Sequence, residues 1–344
     1  MLEPHHASES PNSTLSHSGD QPVSPLLDGG PANSEGVTII ITAYNYGHFI
    51  SEAIHSALSQ SHPQIEVVVV DDGSTDNTPE IAASFGSQIV YIRQENQGLP
   101  RARNAGLRSA SHNWVVYLDA DDLLCPGMVK ESLRIALSQP DQPSVVFGDS
   151  IPIDVEGAVH GDSGSDSNLI ITPIGVRIPL LRNNLAPTAL VKKRVLLELG
   201  GFSPEAGGAD DRDMWIRIAA RFRIIRVNRL FYLYRHHAES MSHNPDKQRV
   251  ATEAVLAKAR ANPEVQVPWY IWKESAALMH MQSAYNYATS SRRLSALRFA
   301  LLSVMTWPWL SNQSRPLPTR FGRLLFIIRQ AQHVFLPFTI RLRK

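Results

Sequence analysis

Between Val37 and Leu118 the chain repeats one pattern: a short apolar run, a polar turn, then a segment with helical spacing. The runs are VTIIIT (37–42), IEVVVV (65–70), IVYI (89–92) and WVVYL (114–118). Between them lie SEAIHSALSQ, with Ile54, Ala57 and Leu58 on one helical face, a helix opened by Thr78 as N-cap with Pro79 behind it, and GLPRARNAGLRSA. Strands alternating with helices at such short intervals predict an α/β fold with a mostly parallel, doubly wound sheet. Val67–Val70 has no polar alternation, as expected of a strand covered on both faces.

Two of these runs stop abruptly on carboxylates. IEVVVV ends on Asp71 and Asp72, and WVVYL ends on Asp119, Asp121 and Asp122. Ligands of such sheets lie beyond the carboxyl ends of the strands, so the two clusters are expected to meet along one crevice. The chain has neither a Gly-x-Gly-x-x-Gly fingerprint nor a Walker A loop, so a bound phosphate needs another source of positive charge. Carboxylate oxygens suit Mg²⁺ or Mn²⁺, which bind through one or two carboxylates while phosphate oxygens fill other positions. Asp119 and Asp121, one residue apart, could serve the same diphosphate. An Asp-x-Asp pair alone is common, and it can equally cap a helix or face solvent.

Composition narrows the classes. A length of 344 residues allows one large domain plus an appendage, or two modest domains. A formal net charge of +1 argues against a nucleic-acid binder. Cys125 is the single cysteine, which excludes an intrachain disulfide and Cys-rich zinc sites and fits a reducing compartment. No basic start followed by an apolar core marks a secretory leader. Residues 1–36 are rich in Ser, Pro, Asn, Gly and His and are expected to be a disordered tail rather than a metal site built on His5 and His6.

The segments ITAYNYGHFI, VVVVDDGSTDNT, QENQGLPRARNAGL and YLDADD, in this order and at these intervals, resemble the family 2 glycosyltransferases, from about Val37 to Ser242. The resemblance implies a GT-A fold, a Rossmann-like mostly parallel sheet flanked by helices. It also implies an inverting enzyme that uses a nucleoside-diphosphate sugar. By the same resemblance Thr42, Ala43, Tyr44 and Asn45 form the loop that packs on the nucleotide base, with Thr42 where the family usually has proline. Asp72 would accept a hydrogen bond from the base. Asn96, Gly98, Arg101 and Arg103 would approach the nucleotide and diphosphate. Asp119, with Ala120 beside it, would face the ribose, and Asp121 would bind Mn²⁺ or Mg²⁺, leaving Asp122 as a supporting carboxylate.

In the second half, ADDRDMWIRIAARF resembles the family's Glu-Asp-x-Asp-x-Trp-x-Arg segment, with Asp210 in the glutamate position and Asp211 in that of the general base. Asp213 and Arg217, four apart, are expected to pair. Asp210 and Asp211 would also suit a helix N-terminus without any catalytic role. FYLYRHHAES resembles the Tyr-Arg-x-His segment, which would bring Arg235 to the diphosphate and His237 to the metal. The Gln-x-x-Arg-Trp motif of processive relatives is absent, and no apolar run reaches the roughly 18–20 residues that span a bilayer. The expectation is non-processive transfer to a glycan or lipid-linked acceptor, as in polysaccharide biosynthesis, in the cytoplasm or at the inner face of a membrane. A nucleotide-sugar-binding module without catalysis and a nucleotidyltransferase are the alternatives.

The sequence divides into the tail (1–36), a GT-A domain (37–245) and a helical, basic extension (246–344). After Glu274 no Asp or Glu follows, and arginines stand beside Trp, Phe and Leu. That pattern fits peripheral contact of 292–344 with an anionic membrane, and it also fits ordinary helices packed on the domain.

Overall fold

The computed structural model describes residues 35–160, 168–181, 185, 188–237, 244–309 and 320–335. Of the tail read as disordered, all but Glu35 and Gly36 lies outside them. The first half runs β1 (Val37–Ala43), α1 (Ile50–Leu58), β2 (Ile65–Asp71), α2 (Thr78–Ser84), β3 (Val90–Arg93), α3 (Leu99–Ser109) and β4 (Trp114–Asp119). The second half runs β5 (Leu123–Leu124), α4 (Met128–Ser138), β6 (Val145–Ile153), β7 (Ile171–Ile174), α5 (Arg177–Leu181), β8 (Leu190–Lys192), α6 (Lys193–Glu198), α7 (Asp210–Arg221) and β9 (Ile224–Arg235). Four helices close the chain: α8 (Pro245–Ala261), α9 (Trp269–Thr289), α10 (Arg293–Thr306) and α11 (Arg320–Phe335).

One mixed sheet carries the order β3-β2-β1-β4-β8-β6-β9-β5, with β7 on β9. The first four strands are parallel, as the alternation predicts. β8 then enters antiparallel between β4 and β6, with Val191 opposite Val115 on one side and Val145 on the other. Its three residues are too few to show a period, so this reversal was not expected from the sequence.

Both faces of the sheet are covered. Ile39, Ile41, Val67, Val69, Val116 and Leu118 pack under α1 and α4. Ile40, Val68, Val70, Val115 and Tyr117 point the other way, onto α3 and α7. Strand side chains alternate between faces, so a run apolar at every position needs helices on both sides. Gly106 allows α3 a close approach to β1, because a β-carbon there would lie 2.3 Å from Ile40 Cγ2. α8 and α9 are not detached from this unit: Val255, Ile271 and Leu278 share a core with Leu180 on α5 and Ile216 on α7.

One boundary differs from the sequence reading. Asn77, not Thr78, is the N-cap of α2. Thr78 is already helical, and its Oγ1 accepts the N–H of Tyr46 at 3.0 Å, so its hydroxyl ties two loops together instead of capping a helix.

Candidate active site

β1, β2 and β4 end level, with Ala43 opposite Asp71 and Thr42 opposite Asp119. This register brings the two acidic clusters to one edge, as expected for strands of a parallel sheet. The loops that follow β1 and β2 are joined side chain to backbone. Asn45 adopts a left-handed conformation (φ 60°), one that asparagine tolerates better than most residues. Its N–H donates to Ser74 Oγ at 2.9 Å, and its Oδ1 accepts the N–H of Thr75 at 2.7 Å. Asp76 Oδ2 accepts the N–H of Gly47 at 2.9 Å. Fixed in this way, the loops wall a cleft of about 510 Å³, within the usual range for small-ligand sites.

Ten of the residues singled out in the sequence line this cleft: Thr42, Ala43, Tyr44 and Asn45 after β1, Asp72 after β2, Asn96 and Gly98 before α3, and Asp119, Ala120 and Asp121 after β4. Four further residues complete it. Tyr46 and Tyr234 sit in segments already quoted, and Leu99 and Ala102 lie three apart on the first turn of α3, a spacing that follows directly once Gly98 faces the cleft. Arg101 is exposed, and Arg103, Arg235, His237 and Asp211 are not among the cleft's lining residues.

Asp72 is held firmly. Its Oδ1 accepts Gln94 Nε2 (2.7 Å) and the N–H of Gln97 (2.9 Å), and its Oδ2 accepts the N–H of Gly98 (2.8 Å). A carboxylate has about four lone-pair sites, so one remains for a ligand donor. Gly73 makes the turn possible with φ +82°, and a β-carbon there would lie 2.8 Å from the backbone nitrogen of Asn96.

The three acids after β4 separate into distinct roles. Asp122 is 2 % exposed, and its Oδ1 accepts the N–H of Arg235 at 2.9 Å. Asp121 places Oδ2 2.9 Å from His237 Nε2. Asp119 accepts Arg103 Nη2 at 2.9 Å. Burial pushes the Asp121 carboxyl up, and the neighbouring Asp119 adds to this while His237 opposes it. Asp122 is pushed up further, by burial and then by Asp121 and Asp119. The run is thus a concentration of negative charge that the protein leaves partly uncompensated.

Two of the three arginines expected near the diphosphate, Arg103 and Arg235, are engaged within the fold. Arg235 is fully buried. It donates through Nε to the Asp121 carbonyl (2.9 Å), through Nη1 to the Val155 carbonyl (2.7 Å) and through Nη2 to Glu52 (2.8 Å), with its guanidinium over Phe49. Arg103, 2 % exposed, bridges Asp119 and Asp210, the latter at 2.7 Å. A guanidinium has a fixed fork of donors that suits two carboxylates at once. An arginine in a sequence gives no sign of whether it ends in a cleft or between two buried acids.

Arg103 therefore joins the cleft to the N-terminus of α7. Asp210 opens that helix, and Asp211 follows on its first turn. Burial pushes the Asp211 carboxyl up to about 6; the Asp210 charge adds to this, and Arg103 opposes it. Asp213 and Arg217 pair at 2.7 Å, as their spacing predicts.

The residues present fit a hard divalent cation held jointly with a diphosphate. No group of three or more His, Cys, Asp or Glu forms a metal cage among the described residues. What the site offers is the Asp121 carboxylate and an imidazole nitrogen 2.9 Å from it, a two-member set of the kind that leaves positions for phosphate oxygens.

Residues 38–160 match the family model for Glycosyl transferase family 2. An uncharacterized glycosyltransferase of Rickettsia felis is 32% identical over 195 residues, which are 56% of this chain and 31% of the relative. Glycosyltransferase GlyA of Streptococcus pneumoniae is 43% identical over 89 residues, 25% of this chain and 13% of the relative. The chain thus spans about a third of the length of the first relative. Among solved structures, S. aureus TarS 1-349 in complex with UDP-GlcNAc superposes with a TM-score of 0.61 at 18% identity, covering 87% of this chain and 90% of that one. The mannosyltransferase PcManGT from Pyrobaculum calidifontis, in complex with GDP-Man and Mn²⁺, gives 0.55 at 22% identity, covering 88% and 87%. These structural likenesses show a shared fold. The family match covers residues 38–160, the part of the chain that carries β1 to β4 and the lining residues of the cleft other than Tyr234.

Proposed function

We propose that this chain transfers a sugar from a nucleoside-diphosphate sugar to a hydroxyl of a glycan or lipid-linked acceptor, one sugar at a time, with inversion. The observation that carries the reading is the level ending of β1, β2 and β4, which gathers Asp72, Asp119 and Asp121 around one cleft. Tyr44, 45% exposed, offers its ring to a base, and the remaining lone pair of Asp72 offers a base N–H an acceptor. A cation held by Asp121 and His237 would neutralise the diphosphate and stabilise it as it departs. Asp211, with its carboxyl raised to about 6, is ionised at neutral pH yet basic enough to take the acceptor's hydroxyl proton. A departing diphosphate needs no protonating acid, so one carboxylate suffices for a single displacement. The nucleotide sugars and Mn²⁺ carried by TarS and PcManGT lend this reading support.

The two departures from the usual motifs do not favour an inactive binding module. Thr42 is 5% exposed and lines the cleft, and Asp210 still reaches Arg103 at 2.7 Å. The test is release of nucleoside diphosphate from a panel of nucleotide sugars with Mn²⁺ or Mg²⁺, for wild type, Asp121→Ala and Asp211→Asn. Metal-dependent release from one donor that both substitutions abolish supports the reading. Pyrophosphate as the product would make the chain a nucleotidyltransferase, and donor binding without turnover in the presence of acceptor glycans would make it a binding module.

A further inference from the structure

α9 and α10 form a helical hairpin, closed by a turn in which Ser291 is left-handed (φ 60°). α10 seats on α9 through small residues: Ala296, Ala300 and Ser303 are buried, and Ser303 Oγ donates to the Ala277 carbonyl at 2.7 Å. The large apolar residues of α10 face the other way, with Leu294, Leu301 and Met305 exposed at 70%, 46% and 79%. Arg298 lies on the same stripe, four residues from the first and three from the second, and is exposed.

α11 repeats this inversion. Among its described side chains Arg323 and Gln330 are buried, while Leu324, Leu325 and Ile328 are exposed. Arg323 donates to the carbonyls of Trp307 and Pro308, each at 3.0 Å, and so satisfies the carboxyl end of α10. A helix that has finished burying its surface turns its apolar face inward. Two adjoining helices that both turn large apolar residues outward are not explained as scattered exposed side chains.

Two features of the chain identify what meets this patch. The first is charge: between Glu274 and Lys344 every charged residue is basic. The second is an aromatic cluster at the open end of the hairpin, where Trp269 and Trp309 are 70% and 60% exposed and Trp269 stands edge-on to Trp307 at 5.9 Å. Trp beside exposed Leu and Arg suits the headgroup level of a bilayer, where one end of the side chain is apolar and the other wet. A second copy of the chain would set arginine against arginine, an arrangement that like-charge repulsion opposes. We propose that the outer face of α10 and α11 docks on an anionic lipid bilayer. It lies in the headgroup region, since no helix among the described residues is long and apolar enough to cross a membrane.

The test is co-sedimentation of the full chain with vesicles of phosphatidylcholine alone and of phosphatidylcholine with about 30 % phosphatidylglycerol. Binding is expected only to the anionic vesicles, and to weaken in about 0.5 M salt. Leu301→Asp with Met305→Asp should cut that binding at least about tenfold, because charge replaces inserted apolar surface. Arg329 is exposed on α11 beside Ile328. Arg298→Gln with Arg329→Gln should cost about fivefold per arginine while leaving the apolar stripe in place. An unchanged thermal midpoint shows that each variant is folded. Wild type that stays in the supernatant with anionic vesicles would overturn the proposal, as would aspartate variants that bind as wild type does. Concentration-dependent dimers that the aspartate variants dissolve, with no vesicle binding, would assign the face to a second copy instead.

Discussion

Asp211→Asn should make the protein inactive and more stable at once. The Asp211 carboxyl is raised from 3.8 to about 6, mainly by burial and by the charge of Asp210. An acid whose folded pKa lies above its unfolded one stabilises the fold when protonated. That contribution is fully present below about pH 4 and is lost as pH rises through about 6. The full shift is worth about 3 kcal/mol, and the partly exposed edge of the side chain lowers this to about 2 kcal/mol through solvent screening. Asparagine keeps the shape and the Oδ1 that accepts the N–H of Arg212, but it cannot ionise. At about pH 8 the variant should therefore melt roughly 4–8 °C above wild type. The gap should narrow as pH falls from about 6 to about 4 and close below that, where Asp211 becomes neutral in the folded and unfolded chains alike. Wild-type turnover should rise with pH through about 6, and the variant should lose roughly 10²–10⁴ of it. The assays are thermal melts across pH and nucleoside diphosphate release on the same preparations. A variant less stable than wild type at pH 8, or a gap that persists at low pH, would refute the assignment of a buried, strained carboxylate.

Arg103→Met should cost about 3–5 kcal/mol, read as a lower urea midpoint, because it leaves Asp119 and Asp210 facing each other in the interior without a counter-charge. Gly73→Ala should cost about 1–3 kcal/mol and weaken nucleotide binding, since the new β-carbon would press on the backbone of Asn96 at the cleft wall. His237→Ala should raise the Mn²⁺ concentration needed for half-maximal donor binding by roughly tenfold or more, measured by calorimetry; an unchanged Mn²⁺ requirement would separate His237 from the metal.

Much of the first half was legible in the sequence because strands of a parallel sheet announce themselves. Val67–Val70 is apolar at every position, and the polarity break at Asp71 and Asp119 marks where each strand leaves the core. Once the strands lie parallel and in register, residues 47 positions apart such as Asp72 and Asp119 fall beside one cleft without further information. The second half resisted for physical reasons. β8 has three residues, too few to show a period, and its antiparallel insertion depends on which edge of β4 is free. The partners of the arginines were illegible for another reason. Arg103 and Arg235 read as phosphate ligands because a guanidinium suits phosphate and carboxylate alike. Only the fold shows that Asp119 and Asp210 reach Arg103 first, and that Glu52 and three carbonyls reach Arg235.

The Arg103 bridge also limits how such a chain can be recombined. Its guanidinium rests on α3, one of its carboxylates ends β4, and the other opens α7, 107 residues away. A chimera joined between these positions, with the nucleotide half of one transferase and the acceptor half of another, inherits one side of a buried charge balance. It folds well only if the incoming half brings a carboxylate to the place of Asp210. Substitutions at Asp119 and Asp210 should accordingly be non-additive, each depending on the state of the other through the arginine they share. The two halves of such a chain would then be exchangeable parts only as a matched pair.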